Sequence, residues 1–289
     1  MGGASVFLIK PRRSFKVPVE AECISPDKFA GLNLEDLKKL KVFEGNRTYR
    51  LEELFYIKAV SKNSPSASVK IIMEGNFSKV WRIGEEMSTG EIVIKGNVGP
   101  FLGFRMRGGV IIVHGHAGPW LGAEMRDGII EVHGCAGDHV GAVLRGERSL
   151  KGMSGGIIRV HGYAGAEVGA CMNGGLIAID GSCKAMPGVK MSGGSILIRG
   201  DCEGKAGARM TGGKIVVCGR VGEVLPTFYI DGIASSVKVK GEKIKGPFYL
   251  FLGDVLGDIE CRGRLYVSVK NNPDFKVFES LLETMSDDC

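Results

Sequence analysis

The sequence lacks the short motifs that mark several common enzyme classes. It contains no P-loop and no H-E-x-x-H pair. Glycine-rich stretches are abundant, but none joins a strand to a helix with an acidic residue downstream, as a dinucleotide-binding turn requires. The eight cysteines include no C-x-x-C pair, so we interpret them as reduced thiols of a cytoplasmic protein.

Long apolar runs and strong charge clusters are also missing. No segment is long enough for a membrane helix, and the run Ser5 to Ile9 is too short for the core of a signal peptide. The net charge of +6, from 38 basic and 32 acidic residues, comes without the basic arms of a nucleic-acid-binding protein. The longest basic cluster, at 10–16, is predicted to be a solvated, frayed tail. We expect neither a membrane nor a nucleic-acid partner.

Glycine is the abundant residue, at 45 of 289, and it falls in a repeat. Three independent columns share a period of 19 residues with a single interruption, so repeats must set the fold. One column is the glycine that ends each predicted strand: Gly96, Gly115, Gly134, Gly162, Gly181, Gly200 and Gly219. A second is a methionine column whose fourth position we assign to Leu144: Met87, Met106, Met125, Leu144, Met172, Met191 and Met210.

Each repeat also contains a short strand pattern. Isoleucine occupies one column throughout: Ile92, Ile111, Ile130, Ile158, Ile177, Ile196 and Ile215. A β-branched residue follows two positions later in every repeat, and this two-residue period is typical of a strand with one buried face. A repeat this short cannot bury its apolar face alone. We therefore predict an all-β, right-handed parallel β-helix, a single-stranded solenoid of seven or more coils with about 19 residues per coil.

The predicted solenoid covers 69–222, between a small N-terminal α/β capping segment, 1–68, and a C-terminal β-rich cap and tail, 223–289. In the N-terminal segment we expect a helix over 26–40 and a hairpin over 46–55. In the C-terminal segment we expect strands at 245–253 and 265–270, followed by a helical tail. Both segments would cover the open ends of the solenoid.

Polar columns offer few candidates for chemistry. His114, His133 and His161 share an outward column, where a metal site and a solvated ladder are the two interpretations. Cys183 and Cys202 share an inward column, interpreted as buried thiols or as a disulfide or metal pair. An acid–base group is conceivable from Glu131, Asp138 and His139. We predict no catalytic, cofactor-binding or metal-ligating residue.

Two features are candidates for a partner interface. Phe101 and Trp120 share a column at a turn, with His139 beyond them, and serve either as cover for a flanking segment or as an interface anchor. The interruption between Gly141 and Gly169 adds nine residues. This loop contains Arg145, Arg148 and Lys151, and it is either a plain charged loop or a docking site for a partner or an anionic cofactor tail. The candidate partner interface is therefore Phe101, Trp120, Arg145, Arg148 and Lys151.

One outward column is apolar at both ends: Val93, Ile112, Glu131, Arg159, Ala178, Leu197 and Val216. That much aliphatic surface predicts a cover, supplied either by a partner or by the N-terminal segment.

The blocks Met153-Ser154-Gly155-Gly156, Met172-Asn173-Gly174-Gly175 and Met191-Ser192-Gly193-Gly194 resemble the glycine-rich β-helix family. That family is shared by the C-terminal domain of glutamate synthase and the C subunit of formylmethanofuran dehydrogenase. The flanks, with Asp27-Lys28-Phe29-Ala30-Gly31 and Gly246-Pro247-Phe248-Tyr249, are similar to the dehydrogenase C subunit.

The resemblance implies a non-catalytic structural and docking subunit of a cytoplasmic hetero-oligomeric oxidoreductase that reduces CO2 and attaches it as a formyl group to methanofuran, the first step of methanogenesis from CO2. It implies amidohydrolase-like, pterin-binding and ferredoxin-like partners. Those partners would hold a tungsten- or molybdenum-pterin, iron–sulfur clusters and a dinuclear metal site, and this chain would bind no cofactor. The alternatives are a component of a formyltransferase/hydrolase complex and a glutamate-synthase-like amidotransferase module.

Overall fold

The computed structural model describes residues 5–61, 68–144, 146, 151–260 and 262–282, and β-strands dominate it. In chain order the strands are β1 Ser5–Pro11, β2 Val19–Glu20, β3 Lys41–Glu44, β4 Arg47–Arg50, β5 Phe55–Ser61, β6 Val69–Glu74, β7 Val80–Trp81, β8 Glu91–Lys95, β9 Arg107–Val113, β10 Asp127–Val132, β11 Ile157–Val160, β12 Asn173–Ile179, β13 Gly193–Ile198, β14 Lys214–Val217, β15 Tyr229–Val239, β16 Glu242–Gly253 and β17 Gly263–Ser268. The helices are α1 Pro26–Phe29, α2 Leu34–Lys38, α3 Leu51–Leu54 and a 3₁₀ helix, Pro273–Phe278.

Thirteen of the described strands form one sheet, in the order β15-β16-β17-β14-β13-β12-β11-β10-β9-β8-β6-β1-β5. The strands of the repeats pair in parallel and in chain order, with Ile111 opposite Ile130 and Ile130 opposite Ile158. Every isoleucine of the predicted column is fully buried. The predicted all-β class and the stacking of like residues are confirmed.

A second line of pairing joins the same repeats away from the large sheet. Isolated parallel bridges connect Phe77, Val98, Ala117 and Ala136, and then Ala164, Cys183, Cys202 and Val221. We call this line the bridge ladder and each repeat unit a coil. Between the two runs, the backbone N–H of Ala136 donates to the carbonyl of Tyr163. Each coil thus contacts the next at two separate points along its path, and the core lies between them.

The methionine column is correct except at its fourth position. Leu144 is partly exposed, whereas Met153 is fully buried and its Cε would meet a Cβ placed on Gly175 at 2.7 Å. Met125 contacts Gly156 in the same way. Met153 therefore fills the slot predicted for Leu144. The backbone N–H of Met153 donates to the carbonyl of Gly141, and Val143 keeps its regular hydrogen bond to Ala170, so the nine extra residues fall between Val143 and Met153.

The predicted glycine-rich corner needs glycine for two reasons. Gly109 has a φ of +80°, in the left-handed region, as expected. A Cβ on the neighbouring Gly108 would lie 2.3 Å from the backbone oxygen of Ser88 in the preceding coil. Gly108 is thus required because the backbones of two coils approach closely, and Gly109 because its backbone is left-handed.

The N-terminal segment extends the sheet. Strand β1 pairs in parallel with β6 and antiparallel with β5. Lys10 lies in β1 and its Nζ is 2.8 Å from a Glu74 carboxylate oxygen. The prediction of a frayed basic tail is therefore wrong for this residue.

Two local predictions in this segment hold only in part. The helix expected over 26–40 is two short helices, because Gly31 takes a φ of +77° and Asn33 caps α2 through its side chain. The expected hairpin begins earlier, at β3, and its second part, Leu51–Leu54, is helical.

The C-terminal segment closes the other end of the sheet. Strand β17 pairs in parallel with β14, and β16 and β15 follow as an antiparallel pair. This pair folds over the outward face of the last coils. Val237, Val239, Ile244 and Phe248 of this pair form one buried cluster with Tyr266 of β17 and with Leu176, Ala178, Leu197 and Val216.

At the end of the apolar column formed by Ala178, Leu197 and Val216, the cover is thus the chain's own C-terminal hairpin, which the sequence did not suggest. The sequence did not predict β15, which supplies part of this cover. At the other end of the column, Val93 and Ile112 are partly exposed.

The described helices are short, and none of them is long and apolar enough to cross a membrane.

We expect Ile130→Ala to reduce the free energy of unfolding by about 2–4 kcal/mol, because it opens a cavity between two stacked isoleucines. The neighbouring residue Ile129 is the matched control: it lies in the same strand but is 42% exposed, so Ile129→Ala should cost less than about 1 kcal/mol. Urea unfolding followed by circular dichroism measures both. Equal losses for the two variants would contradict the inward assignment.

Candidate functional site

Aromatic rings are stacked along one corner of the coils. Phe101 and Trp120 lie with ring centroids 5.9 Å apart and planes within 10° of parallel. Trp120 stacks in turn on His139 at 4.2 Å, and Trp81 leans against Phe101 at 6.3 Å. All four side chains are partly buried. We call this series, Trp81, Phe101, Trp120 and His139, the aromatic ladder.

The backbone at this corner is in the left-handed region. Phe101, Trp120 and His139 have φ values of 60°, 64° and 65°, which residues other than glycine and asparagine adopt at a cost. The same turn recurs in the coils on either side, at Arg82 and at Glu167, Met186 and Lys205. The turn therefore sets the spacing of the Phe101, Trp120 and His139 rings, and each coil presents one side chain there.

Cationic side chains border the aromatic ladder. The guanidinium of Arg105 lies 4.7 Å from the ring centre of buried Phe104, whose ring is 5.9 Å from that of Phe101. Arg105 Nε also donates to a Glu124 carboxylate oxygen at 2.8 Å. Such contacts fix the orientation of the arginine. The border is thus rigid and of mixed charge.

A charged pocket opens beside this border. It is lined by Glu86, Arg105, Glu124, Arg126, Lys151, Gly152 and Ser154. Lys151, which the sequence placed in the partner interface, is exposed here. Arg145 and Arg148, predicted for the same interface, lie outside the described residues. The structure therefore joins Phe101 and Trp120 to Lys151 through Phe104 and Arg105, while the interface role itself stays a prediction.

The histidine column forms another series of rings, on the outward face of the sheet. The rings of His114 and His133 are 4.8 Å apart and those of His133 and His161 are 5.5 Å apart, both edge-on. Between them lies Glu131, whose Oε1 is 2.9 Å from His161 Nε2 and 3.6 Å from His133 Nε2. We call His114, His133 and His161 the histidine ladder.

His161 is held at both ring nitrogens. Its Nδ1 is 2.7 Å from Asp180 Oδ2, and Arg199 Nε donates to the other oxygen of that carboxylate at 3.2 Å. Arg199 is paired with Glu242 as well. The chain of contacts runs across three coils to the C-terminal hairpin, so the imidazole has a fixed orientation.

These contacts shift two protonation equilibria. The hydrogen bond to Glu131, followed by that to Asp180, raises the pKa of His161 above its ordinary 6.5. The bond from His161 lowers the pKa of Glu131 below its ordinary 4.5. His161 therefore adds stability that is complete below pH 6.5 and disappears as pH rises through its folded pKa. Glu131 adds stability above pH 4.5 that disappears as pH falls through its own folded pKa.

The other candidates from the sequence are not assembled as sites. Glu131 faces the histidine ladder, Asp138 Oδ1 accepts from the backbone N–H of Ala166, and His139 Nδ1 lies 3.5 Å from Glu167. The suggested acid–base group is therefore not formed. Among the cysteines that the structure describes, none is in a disulfide. Cys183 and Cys202 are adjacent buried residues of the bridge ladder, and the neighbouring thiol together with burial raises the pKa of Cys183.

In metal-free buffer, we expect proton NMR titration to place the pKa of His161 above 6.5, and Glu131→Gln to lower it because the largest stabilising partner of the imidazolium is removed. Glu203→Gln, the same change beside Cys202 in the bridge ladder, should leave it unchanged. A His161 pKa that is equal in the wild type and in Glu131→Gln would rule out the pairing.

No family model matches the chain. The chain is 41% identical over 99 residues to the C subunit of the tungsten-containing formylmethanofuran dehydrogenase 2 of Methanothermobacter wolfeii, which covers 34% of this chain and 36% of that protein. It is 40% identical over 96 residues to the C subunit of the molybdenum-containing formylmethanofuran dehydrogenase 1 of Methanosarcina barkeri. That match covers 33% of this chain and 31% of the relative. The chain thus spans about a third of the length of these curated relatives.

One solved structure extends the similarity to most of the chain. It is a chain of the formyltransferase/hydrolase complex from Methylorubrum extorquens, determined with methylofuran. It aligns with a TM-score of 0.77 and 25% sequence identity, covering 90% of this chain and 99% of that one. The resemblance to the C subunit of formylmethanofuran dehydrogenase is confirmed over the matched third of the chain, and the similarity of fold extends well beyond that third.

Proposed function

We propose that this chain is a structural and docking subunit, not itself catalytic, of a formylmethanofuran dehydrogenase complex. The observation that carries the proposal is the agreement between two independent similarities. The relatives at about 40% identity are named as C subunits of that enzyme, and the structural neighbour is a chain of the formyltransferase/hydrolase complex. Both similarities point to a component of an assembly.

The architecture supports a scaffold role. We propose that the stacked coils wind as a right-handed parallel β-helix over 69–222, with 1–68 and 223–289 covering its ends. The pairing of each coil with the next on two sides supports this winding. A structure held by contacts between consecutive coils is rigid along its axis, which suits it to hold other subunits at fixed positions.

The aromatic ladder and the adjoining charged pocket are the surface we propose for docking. Interfaces are enriched in tryptophan, phenylalanine and arginine, and rings fixed by stacking lose little freedom on binding. Phe101 and Trp120 are preoriented by the left-handed turn and by each other. Lys151 and Arg126 add positive charge at the border. This combination favours a partner surface with apolar recesses and an acidic rim.

We propose a hetero-oligomer with amidohydrolase-like, pterin-binding and ferredoxin-like subunits, located in the cytoplasm. Those subunits, rather than this chain, would hold the tungsten- or molybdenum-pterin, the iron–sulfur clusters and the dinuclear metal site. They would carry out the reduction of CO2 and its transfer as a formyl group to methanofuran.

A formyltransferase/hydrolase complex is the second candidate. One observation favours it: the structural neighbour that covers 90% of this chain comes from such a complex. The two candidates differ in their partners, because reduction of CO2 requires a redox subunit, whereas transfer and hydrolysis of a formyl group involve no change of oxidation state. Partner identity therefore separates them.

We expect affinity-tagged chain, expressed in its native host and purified at low salt, to bring down a defined set of subunits that mass spectrometry identifies in constant ratio. A pterin-binding and a ferredoxin-like subunit in that set support the dehydrogenase. A formyltransferase without a redox subunit supports the second candidate. Recovery of the chain as a free monomer contradicts both.

The double variant Phe101→Ala, Trp120→Ala tests the docking surface in the same experiment. Removing two central aromatic anchors should reduce co-purified partner at least about tenfold, since such residues carry most of the energy of an interface. Tyr163→Ala is the matched control, because Tyr163 is 60% exposed and lies outside the aromatic ladder. Equal loss of partner in the control and the double variant would show that another surface docks.

A further inference from the structure

The outward face of the sheet brings together three side chains with metal-binding donors. Glu131 lies in β10 and His133 directly follows that strand, so the two side chains, two residues apart, point to the same side of the sheet. His161 follows β11 in the next coil, where Val132 is opposite Val160. The insertion separates His133 and His161 by 28 residues in sequence, but the coil register places them next to each other.

The donor atoms are close to the arrangement that a metal ion requires. One atom from each of Glu131, His133 and His161 lies within 4.8 Å of the others. Two of the three separations, 2.9 Å and 3.6 Å, both measured from Glu131 Oε1, bracket the ~3.3 Å between ligands of a tetrahedral zinc ion with bonds of about 2.0–2.1 Å. Rotation of the His133 ring would close the third separation.

The surroundings of His161 match those of a metal-ligating histidine. Such residues almost always present one ring nitrogen to the metal and the other to a carboxylate, which fixes the ring and raises its basicity. His161 has this arrangement: Nε2 faces Glu131, and Nδ1 faces Asp180 at 2.7 Å. Arg199 holds Asp180 in place. The contact between Asp180 and His161 Nδ1 thus orients one of the three donors without itself supplying a donor atom.

From this geometry we infer that Glu131, His133 and His161 form a binding site for a divalent transition-metal ion, with Asp180 as the positioning residue for His161. Two imidazoles and one carboxylate suit Zn²⁺ and Ni²⁺, and are too few hard oxygen ligands for Ca²⁺ or Mg²⁺. The side chains of Glu131, His133 and His161 are 38%, 41% and 36% exposed. The fourth ligand position therefore faces solvent.

The solvated ladder is the alternative interpretation. In it, Glu131 accepts a hydrogen bond from His161 and lies near His133, and Arg159, opposite Glu131 in the next coil, adds a positive charge to the same surface. That interpretation explains the contacts of Glu131 and requires no ion. It predicts no metal affinity above that of any exposed histidine, so direct titration with the metal distinguishes the two.

The test is calorimetric titration of the purified full chain with Zn²⁺ and, separately, Ni²⁺. The site predicts saturable binding of one ion, weakened at least about tenfold in His161→Gln. The column position of His161 carries Lys95, Asp180 or Arg199 in other coils, so loss of the imidazole should not unfold the chain, and thermal unfolding verifies this. Absence of saturable binding, or equal affinity in His161→Gln, overturns the proposal.

His116→Asn is the matched control. His116 Nδ1 accepts a hydrogen bond from the backbone N–H of Cys135. In the preceding coil, Asn97 Oδ1 accepts the equivalent bond from the backbone N–H of His116. An asparagine at position 116 can therefore keep the hydrogen bond while the imidazole is removed. The variant should bind Zn²⁺ as the wild type does. A Cys183→Ala, Cys202→Ala variant, with the alanine found at Ala164, excludes the buried thiols as the source of the signal. Loss of binding in either control overturns the assignment.

Asp180→Asn tests the positioning role. It leaves the three donors in place and removes the carboxylate behind His161, so zinc affinity should fall roughly 10–100-fold with little change in the unfolding temperature. A purely structural Asp180 would instead lower the unfolding temperature and leave the zinc affinity unchanged, which would refute this part of the proposal.

Discussion

The structure depends on register between neighbouring coils. Each coil places an isoleucine opposite the isoleucine of the next, for instance Ile111, Ile130 and Ile158, and its backbone bonds to both neighbours. A shift of one residue would turn every buried side chain of that coil outward. Such a shift would disrupt the pairing with the preceding coil and with the following coil at the same time. The register is therefore fixed more strongly than a single pair of strands would fix it. The flanking segments, the aromatic ladder and the histidine ladder all take their positions from it.

The insertion shows how local that constraint is. Twenty-eight residues, not nineteen, separate Ile130 from Ile158, yet the two are opposite each other in the sheet. The chain keeps the coil's backbone hydrogen bonds as far as Val143, whose N–H donates to the carbonyl of Ala170, and it returns at Met153, whose N–H donates to the carbonyl of Gly141. A loop that leaves and returns at one corner changes no spacing in the core, which is why loops on repeat proteins are free to vary in length.

Much of the fold could be predicted from the sequence because each column is occupied by one kind of residue. The strands, the inward isoleucines and the glycine corner followed from that uniformity. The fourth methionine position did not, since Leu144 and Met153 are both apolar, and only the burial of Met153 and its contacts with Gly141 and Gly175 decide between them. Strand β15 was missed, although Val237 and Val239 alternate with polar residues as a strand requires. The segment contains glycine and serine, which weaken that signal.

Of the candidate site, the sequence predicted which residues share a column but not how they contact across columns. The stacking of Phe101 on Trp120 followed from their spacing. The contact between Glu131 and His161 is diagonal, from one coil to the next, and depends on side-chain rotamers. Asp180 follows His161 by 19 residues in the same column, so its contact with the imidazole could have been predicted once the position of the insertion was known. The left-handed backbone at Phe101 and Trp120 could not, because neither residue signals it.

That left-handed corner has a consequence for how such a chain can diversify. In successive coils it carries arginine, phenylalanine, tryptophan, histidine, glutamate, methionine and lysine, all with positive φ, although glycine would avoid about 1 kcal/mol of strain at each position. The interior, by contrast, repeats the same isoleucine. The core is thus uniform from coil to coil and fixes the geometry, whereas the side chain at this corner differs in every coil. Along that edge, a new pattern of recognition needs only single substitutions and no change of fold.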